Sequence, residues 1–270
     1  MEKEKSYGVT HQNNSSNALE IAIEEIEILG YTIIKDALTL DELTIARQKI
    51  DSIYKEQENN FGVDMLQKIN EKYIARCPLI YEDFFLNIAT NTKTLEVVEA
   101  ILGNYYVLHL QNGIINMPNQ EHHQSSWHRD LPYQNFTISK PLALSALFCI
   151  DEFNAETGAT FVVPFSHKIE TIPSSHYINT NKVQVHANAG SVILFDAMLF
   201  HKAGFNQSQI IRRGINNVYT LPILKQQINL PAALNGKYSD DVFLSKFLGY
   251  QSDTPLSVDD YRLNRLTKLK

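Results

Sequence analysis

Residues 105–221 constrain this chain more than any other stretch. Seven short runs rich in β-branched and aromatic residues occur there, at 105–112, 114–117, 142–150, 159–163, 182–186, 191–195 and 215–221. Turn-forming groups separate them, among them Pro118-Asn119, Glu156-Thr157-Gly158 and Asn188-Ala189-Gly190. Branched and aromatic side chains fill a pleated, half-buried surface, and Gly, Pro and Asn supply the backbone angles that reverse the chain. Many short strands at this spacing predict an all-β sandwich or barrel.

The flanks read differently. Ile21, Ile23, Ile26 and Ile28 are interleaved with Glu20, Glu24, Glu25 and Glu27, which predicts an amphipathic helix over 19–29 that Gly30 stops. A short strand over 31–35 follows. Thr39-Leu-Asp-Glu42 has the spacing of a capping box and opens a helix running to Gln57. Further helices are predicted over 66–75, 94–102 and 240–248. Residues 1–17 are polar, rich in Asn, Ser and Lys, and predicted to be disordered. The basic stretch 262–270 reads as a solvated surface tail.

Composition removes several classes of function. The net charge is −6, which argues against a broad nucleic-acid-binding surface. No apolar segment follows the charged N-terminus, and the longest apolar run, 141–150, is too short to span a bilayer. The expectation is a cytoplasmic protein acting on a small molecule, with no nucleic-acid or membrane partner. Its oligomeric state is not legible. Two cysteines, Cys77 and Cys149, cannot form a disulfide framework and are expected to be buried thiols. Nine histidines make imidazole and carboxylate the expected ligands of any metal.

One histidine is followed two places later by aspartate: His128-Arg129-Asp130. In an extended segment residues 128 and 130 share a face, so an imidazole and a carboxylate point the same way. A third imidazole completes the facial triad of non-haem Fe(II) oxygenases, with positions left open for co-substrate and oxygen. A lone triplet of this kind is weak evidence, and taken alone it is better explained as a surface histidine beside an aspartate near a strand end. The downstream segment adds weight. The buried-type run Ser191-Val-Ile-Leu-Phe195 leads to Asp196 and His201, and Arg212 stands at the start of the next strand. An arginine there is suited to a two-pronged contact with a carboxylate.

These residues resemble the phytanoyl-CoA dioxygenase-like family of Fe(II)/2-oxoglutarate oxygenases. The matching pieces are Trp127-His128-Arg129-Asp130, Glu156-Thr-Gly158 through Pro164-Phe165-Ser166-His167, His201-Lys-Ala-Gly204-Phe-Asn206-Gln-Ser208, and an arginine eleven residues after His201. The opening Gly30-Tyr31 segment also matches, so the resemblance runs from about residue 24 to 250. It implies a double-stranded β-helix, a cupin-like jelly-roll barrel with an all-β core and flanking helices. One domain over 18–270 would comprise a helical wrap (18–104), the barrel (105–222) and a helical extension (223–270).

By the same resemblance, His128, Asp130 and His201 would bind Fe(II). Arg212 rather than Arg213 would pair with the far carboxylate of 2-oxoglutarate, and O2 would be the second co-substrate. Gln111 and Asn116 match positions that touch co-substrate or substrate, against a plain edge-of-strand role. Tyr133 and Gln134 would line the substrate pocket. His122 and His123 are expected to be exposed. The family's Pro-Gly-Ser-His turn is Pro164-Phe165-Ser166-His167 here, which makes His167 a turn residue. The expected reaction is hydroxylation of an unactivated C–H bond, with release of succinate and CO2. Asp130 argues against halogenation. A cupin-type metal enzyme without 2-oxoglutarate and a non-catalytic binding barrel remain as alternatives. The identity of the substrate is not legible.

Overall fold

The computed structural model describes Gly8 and residues 15–267. The disorder expected for residues 1–17 and the last three residues of the basic tail lie largely outside that range. Asn17 lies within it and caps the first helix by accepting from the Glu20 N–H.

The chain begins α1 (Ala18–Leu29), β1 (Tyr31–Ile34), α2 (Leu40–Phe61), α3 (Val63–Lys68), β2 (Ile74–Arg76), α4 (Phe84–Ala89) and α5 (Thr92–Leu102). The strand-rich middle holds β3 (Val107–Asn116), β4 (Ala143–Cys149), β5 (Phe161–Val162), α6 (Ser175–Asn181), β6 (Val183–Gln184), β7 (Val192–Asp196), β8 (His201–Lys202) and β9 (Arg212–Thr220). It ends with α7 (Leu230–Ala233), α8 (Val242–Phe247) and α9 (Val258–Thr267). The capping box forms as expected: Thr39 accepts from the Glu42 N–H and Glu42 from the Thr39 N–H, satisfying two donors at the start of α2.

The strands form two antiparallel sheets. The larger has the order β1-β7-β4-β9-β3-β2 and the smaller β6-β5-β8. An isolated bridge between His128 and His201 adds a further segment beside β8. From β3 onward the chain therefore visits large, small, large, small, small, large, small and large sheets in turn. That alternation is the double-stranded β-helix.

Both faces of the large sheet are buried. Leu144, Phe148, Leu194, Ile215 and Tyr219 pack with Ile26, Leu43, Ile50 and Val98 of the helical layer. The opposite face sends Ile114, Leu147, Ile193 and Phe195 into the barrel. Hence β4 and β7 read as continuous apolar runs rather than alternating ones.

Three local expectations are corrected. The helix predicted over 66–75 stops at Lys68, and Ile74–Arg76 form an edge strand instead. Asn70 and Tyr73 take left-handed backbone angles that break the helix, and β2 satisfies the free edge of β3. The two strands predicted over 105–112 and 114–117 are one. Gly113 is not a turn there: a Cβ on it would lie 3.1 Å from Ala75 Cβ and 3.2 Å from Ile50 Cγ2, so glycine lets α2 and β2 approach. Strand β8 carries His201 and was not anticipated, because two residues are too few to form a pattern.

An ion network fastens α2 to the barrel. Asp151 accepts from Arg47 Nε at 2.6 Å and from the Arg213 backbone N–H at 2.9 Å, while Arg213 also grips Asp51 through Nε and Nη2. Replacing Asp151 with Ala removes the carboxylate held by Arg47 Nε and one of the two held by Arg213, which keeps Asp51, and should cost about 1–2 kcal/mol in urea unfolding, with an unchanged slope.

Asp196, at the end of β7, offers a pH test. Burial raises its carboxyl to about 6, against a weaker opposing hydrogen bond from the Met198 N–H. A folded pKa above the unfolded value means that the native state holds the proton more tightly. Stability is therefore lost as pH rises from about 4 towards 6. Asp196→Asn keeps the acceptor oxygen and removes the buried charge. It should be more stable than the parent at pH 7 by about 1–3 kcal/mol and close to it at pH 4, read from melting curves at both pH values.

Candidate metal and co-substrate centre

His128 and His201 lie side by side on neighbouring strands. Each backbone N–H donates to the other's carbonyl, at 3.0 and 3.1 Å, and the ring centroids stand 4.2 Å apart. Asp130 follows two residues after His128, anchored by its N–H on the Ala197 carbonyl. Its Oδ1 lies 3.5 Å from His201 Nε2 and 3.9 Å from His128 Nε2. One ligand atom from each of the three residues lies within 4.8 Å of the other two.

The remaining polar atom of each side chain is occupied elsewhere. His128 Nδ1 contacts the Ser126 carbonyl at 2.8 Å, and His201 Nδ1 the Leu199 carbonyl at 2.9 Å. A carbonyl can only accept, so Nδ1 carries the proton in both rings and Nε2 presents its lone pair. Asp130 Oδ2 accepts from Ser145 Oγ at 2.5 Å and from Asn216 Nδ2 at 3.2 Å, which leaves Oδ1 for a metal. Such outer contacts fix ligand orientation. Ser145 and Asn216 were missed by the sequence reading, although Ser145 is the one polar residue of the apolar strand β4; Asn216 stands among other polar residues of β9, which hid it.

Charge follows the same plan. Burial alone would raise the Asp130 carboxyl, but His201, His128 and the Ser145 hydroxyl outweigh it and hold Asp130 well below the usual carboxylate range. Burial, reinforced by His201, pushes His128 down to about 4, so its imidazole is neutral. For His201 burial acts downward, but the adjacent Asp130 more than compensates and raises it. Two imidazole nitrogens and one carboxylate oxygen on one face suit Fe(II) with positions left open.

Arg212 lines the same cavity as the triad, with Gln124, Thr160 and Ala203 and the apolar Ile114, Leu147 and Phe195. It is 2% exposed, its guanidinium lies 4.2 Å from the Phe153 ring centroid, and Nε and Nη2 have no hydrogen-bond partner. Burial lowers it to about 10, so it stays cationic at neutral pH. Arg213 points the other way, into the Asp51–Asp151 network. A buried, unpaired guanidinium fits the carboxylate of 2-oxoglutarate.

The other expected residues divide. Asn116 pairs in register with Arg212, donates to the Gly204 carbonyl and leaves a buried Oδ1 unpaired. Gln111 belongs to the opposite face of β3. Its amide bonds the Leu79 N–H, the Phe85 carbonyl and Asn217, so it ties the sheet to the helical layer and does not reach the cavity. Gln134 is buried with Oε1 unpaired, whereas Tyr133 is 94% exposed and forms no part of the cavity wall. His123 is exposed as expected, but His122 is buried. His167 is buried in its turn with Nε2 donating to the Glu27 carbonyl, and Phe165 keeps a left-handed φ of 67°.

Two glycines hold the segments around the centre together. A Cβ on Gly158 would lie 2.5 Å from the Gly204 carbonyl oxygen, and one on Gly204 equally close to the Ala159 oxygen. The loops carrying Thr160 and Ala203 therefore meet backbone to backbone.

The phytanoyl-CoA dioxygenase (PhyH) family model matches residues 27–214. An uncharacterized protein of Mycobacterium tuberculosis, Rv1501, is 32% identical, covering 93% of each chain. Among solved structures, EctD from S. alaskensis with 2-oxoglutarate and 5-hydroxyectoine superposes with a TM-score of 0.63 at 17% identity, covering 80% of each chain. The epimerase SnoN in complex with Fe3+, alpha ketoglutarate and nogalamycin RO gives a TM-score of 0.61 at 18% identity, over 76% of this chain and 84% of that one. The chain belongs to the phytanoyl-CoA dioxygenase (PhyH) family, as an Fe(II)/2-oxoglutarate-dependent dioxygenase.

Proposed function

We propose that this dioxygenase hydroxylates an unactivated C–H bond of a small molecule, sending one atom of O2 into the product and the other into succinate as CO2 leaves. His128, Asp130 and His201 hold the iron in this reading, and Arg212 holds the far carboxylate of 2-oxoglutarate. The observation that carries it is the placement of Arg212, a buried cation without a counterion, on the wall of the cavity that the triad faces. A metal site that used no anionic co-substrate would leave that charge uncompensated.

Bound Fe(II) supplies the oxidative chemistry. The chain's own groups do the rest. Ser145 and Asn216 turn one carboxylate oxygen of Asp130 inward, and the Ser126 and Leu199 carbonyls set both imidazole tautomers. Ile114, Leu147 and Phe195 supply the apolar part of the cavity wall, and burial among them strengthens the charge contact proposed at Arg212. Asn116 and Gln134 each keep an unpaired buried amide oxygen, which can only accept, so their proposed contact is with a donor group of the substrate rather than with a carboxylate of the co-substrate.

Asp130→Ala should abolish iron-dependent formation of succinate from 2-oxoglutarate; turnover at the parent rate would remove Asp130 from the metal. Arg212→Ala loses two charge-assisted hydrogen bonds and should weaken 2-oxoglutarate binding about 100-fold while leaving Fe(II) affinity within about threefold. Equilibrium binding of each, measured separately, checks that split.

A further inference from the structure

Arg129 stands between His128 and Asp130, and strand alternation turns it away from the side on which those two meet. Its guanidinium lies 4.1 Å from the Phe200 ring centroid. Nε donates to the Met198 carbonyl at 2.9 Å and Nη1 to the Glu170 carbonyl at 2.9 Å. Nη2 donates to the carbonyls of Ser166, at 3.3 Å, and Ile169. Every acceptor is a backbone carbonyl, so the side chain fixes the course of the chain rather than neutralising a charge. Residues 197–200, part of what it grips, lie between β7 and β8 and belong to neither strand. Yet the Leu199 carbonyl within that stretch sets the His201 ring. Met198 and Phe200, on either side of Leu199, are the residues that Arg129 bonds and stacks upon. The 166–170 segment backs the same stretch, since Ser166 Oγ accepts from the Phe200 N–H at 2.9 Å.

We propose that Arg129 is a positioning residue of the metal centre. It clamps the 197–200 stretch from behind the segment that carries His128 and Asp130, and so holds the Leu199 carbonyl, and through it the His201 ring, at the angle a facial triad needs. Contacts of this kind behind the ligands set both affinity and geometry of a bound metal. This role rests on the reading of His128, Asp130 and His201 as the iron ligands. Two other roles predict different outcomes. A cation beside a metal site repels the metal, so an Arg129 that acted through its charge would weaken Fe(II) binding, and its removal would strengthen it. An Arg129 that served stability alone would leave the surroundings of the bound metal as they are.

The test compares the parent with Arg129→Met, which keeps an apolar contact on Phe200 and loses all four hydrogen bonds, and Arg129→Lys, which keeps the charge and loses the fork. Three quantities are read: Fe(II) affinity without O2, the visible d–d band of the Co(II)-loaded protein, which follows coordination geometry, and the melting temperature of the metal-free protein. Both variants should bind Fe(II) about tenfold more weakly than the parent and shift the Co(II) band. Tighter Fe(II) binding in Arg129→Met with parent-like binding in Arg129→Lys would assign the effect to charge and overturn the role. So would a lower melting temperature with unchanged Fe(II) affinity and Co(II) band, or loss of folding in both variants, since either marks Arg129 as structural. Equal Fe(II) binding by the parent and Asp130→Ala would overturn the reading of the triad itself, and the role of Arg129 with it.

Discussion

The reciprocal pair of backbone hydrogen bonds between His128 and His201 is the constraint on which the rest of the centre depends. These residues lie 73 positions apart, yet their pairing places two imidazoles side by side and extends the smaller sheet by one segment. Asp130 is then delivered to the same side by strand geometry alone. Ser145 and Asn216, facing inward from the larger sheet, take its second oxygen. Each sheet thus supplies what the other cannot: the small sheet carries the ligands, and the large sheet aims one of them.

Burying Arg212 is the costly element of this design. A guanidinium at 2% exposure with two unpaired nitrogens loses its hydration and regains only the face of Phe153. Its neighbour Arg213 is treated in the opposite way, with two carboxylates and a helix around it. One strand therefore presents a satisfied cation outward and an unsatisfied one inward. Strand alternation turns one of two adjacent identical residues into a fastening and leaves the other, the proposed carboxylate-binding group, facing the cavity.

Much of this was legible in the sequence. The spacing of His128 and Asp130, the position of Arg212 and the capping box at Thr39 are local patterns, and local patterns survive folding. The strands β4 and β7 were legible because both their faces are buried, which leaves continuous apolar runs. What failed to show has physical causes. Gly113 falls between two of the predicted strands, but it interrupts nothing and marks the point where α2 and β2 approach β3 closely. Residues 74–76 carry helix-compatible side chains, but the open edge of β3 recruits them. Gln111 has the polarity of a site residue in an apolar strand. Its parity on β3 sends it to the helical layer: Gln111 and Asn116 stand five residues apart in an unbroken register, so they face opposite sides of the sheet.

The sequence by itself determined the composition of the centre: two imidazoles, one carboxylate and one guanidinium, on strands of a β-rich middle, without thiolate. It did so because the spacing of ligands along one strand and the choice of ligand type are properties of the chain. Only the tertiary structure decided which atoms of those residues are free. The Nδ1 partners of His128 and His201 are carbonyls only two residues away, but one oxygen of Asp130 is taken by Ser145 and Asn216, 15 and 86 residues away, and the pairing of the two imidazoles joins segments 73 positions apart. Hydrogen bonds at 3 Å do not depend on sequence distance, so they enter only when the two sheets close.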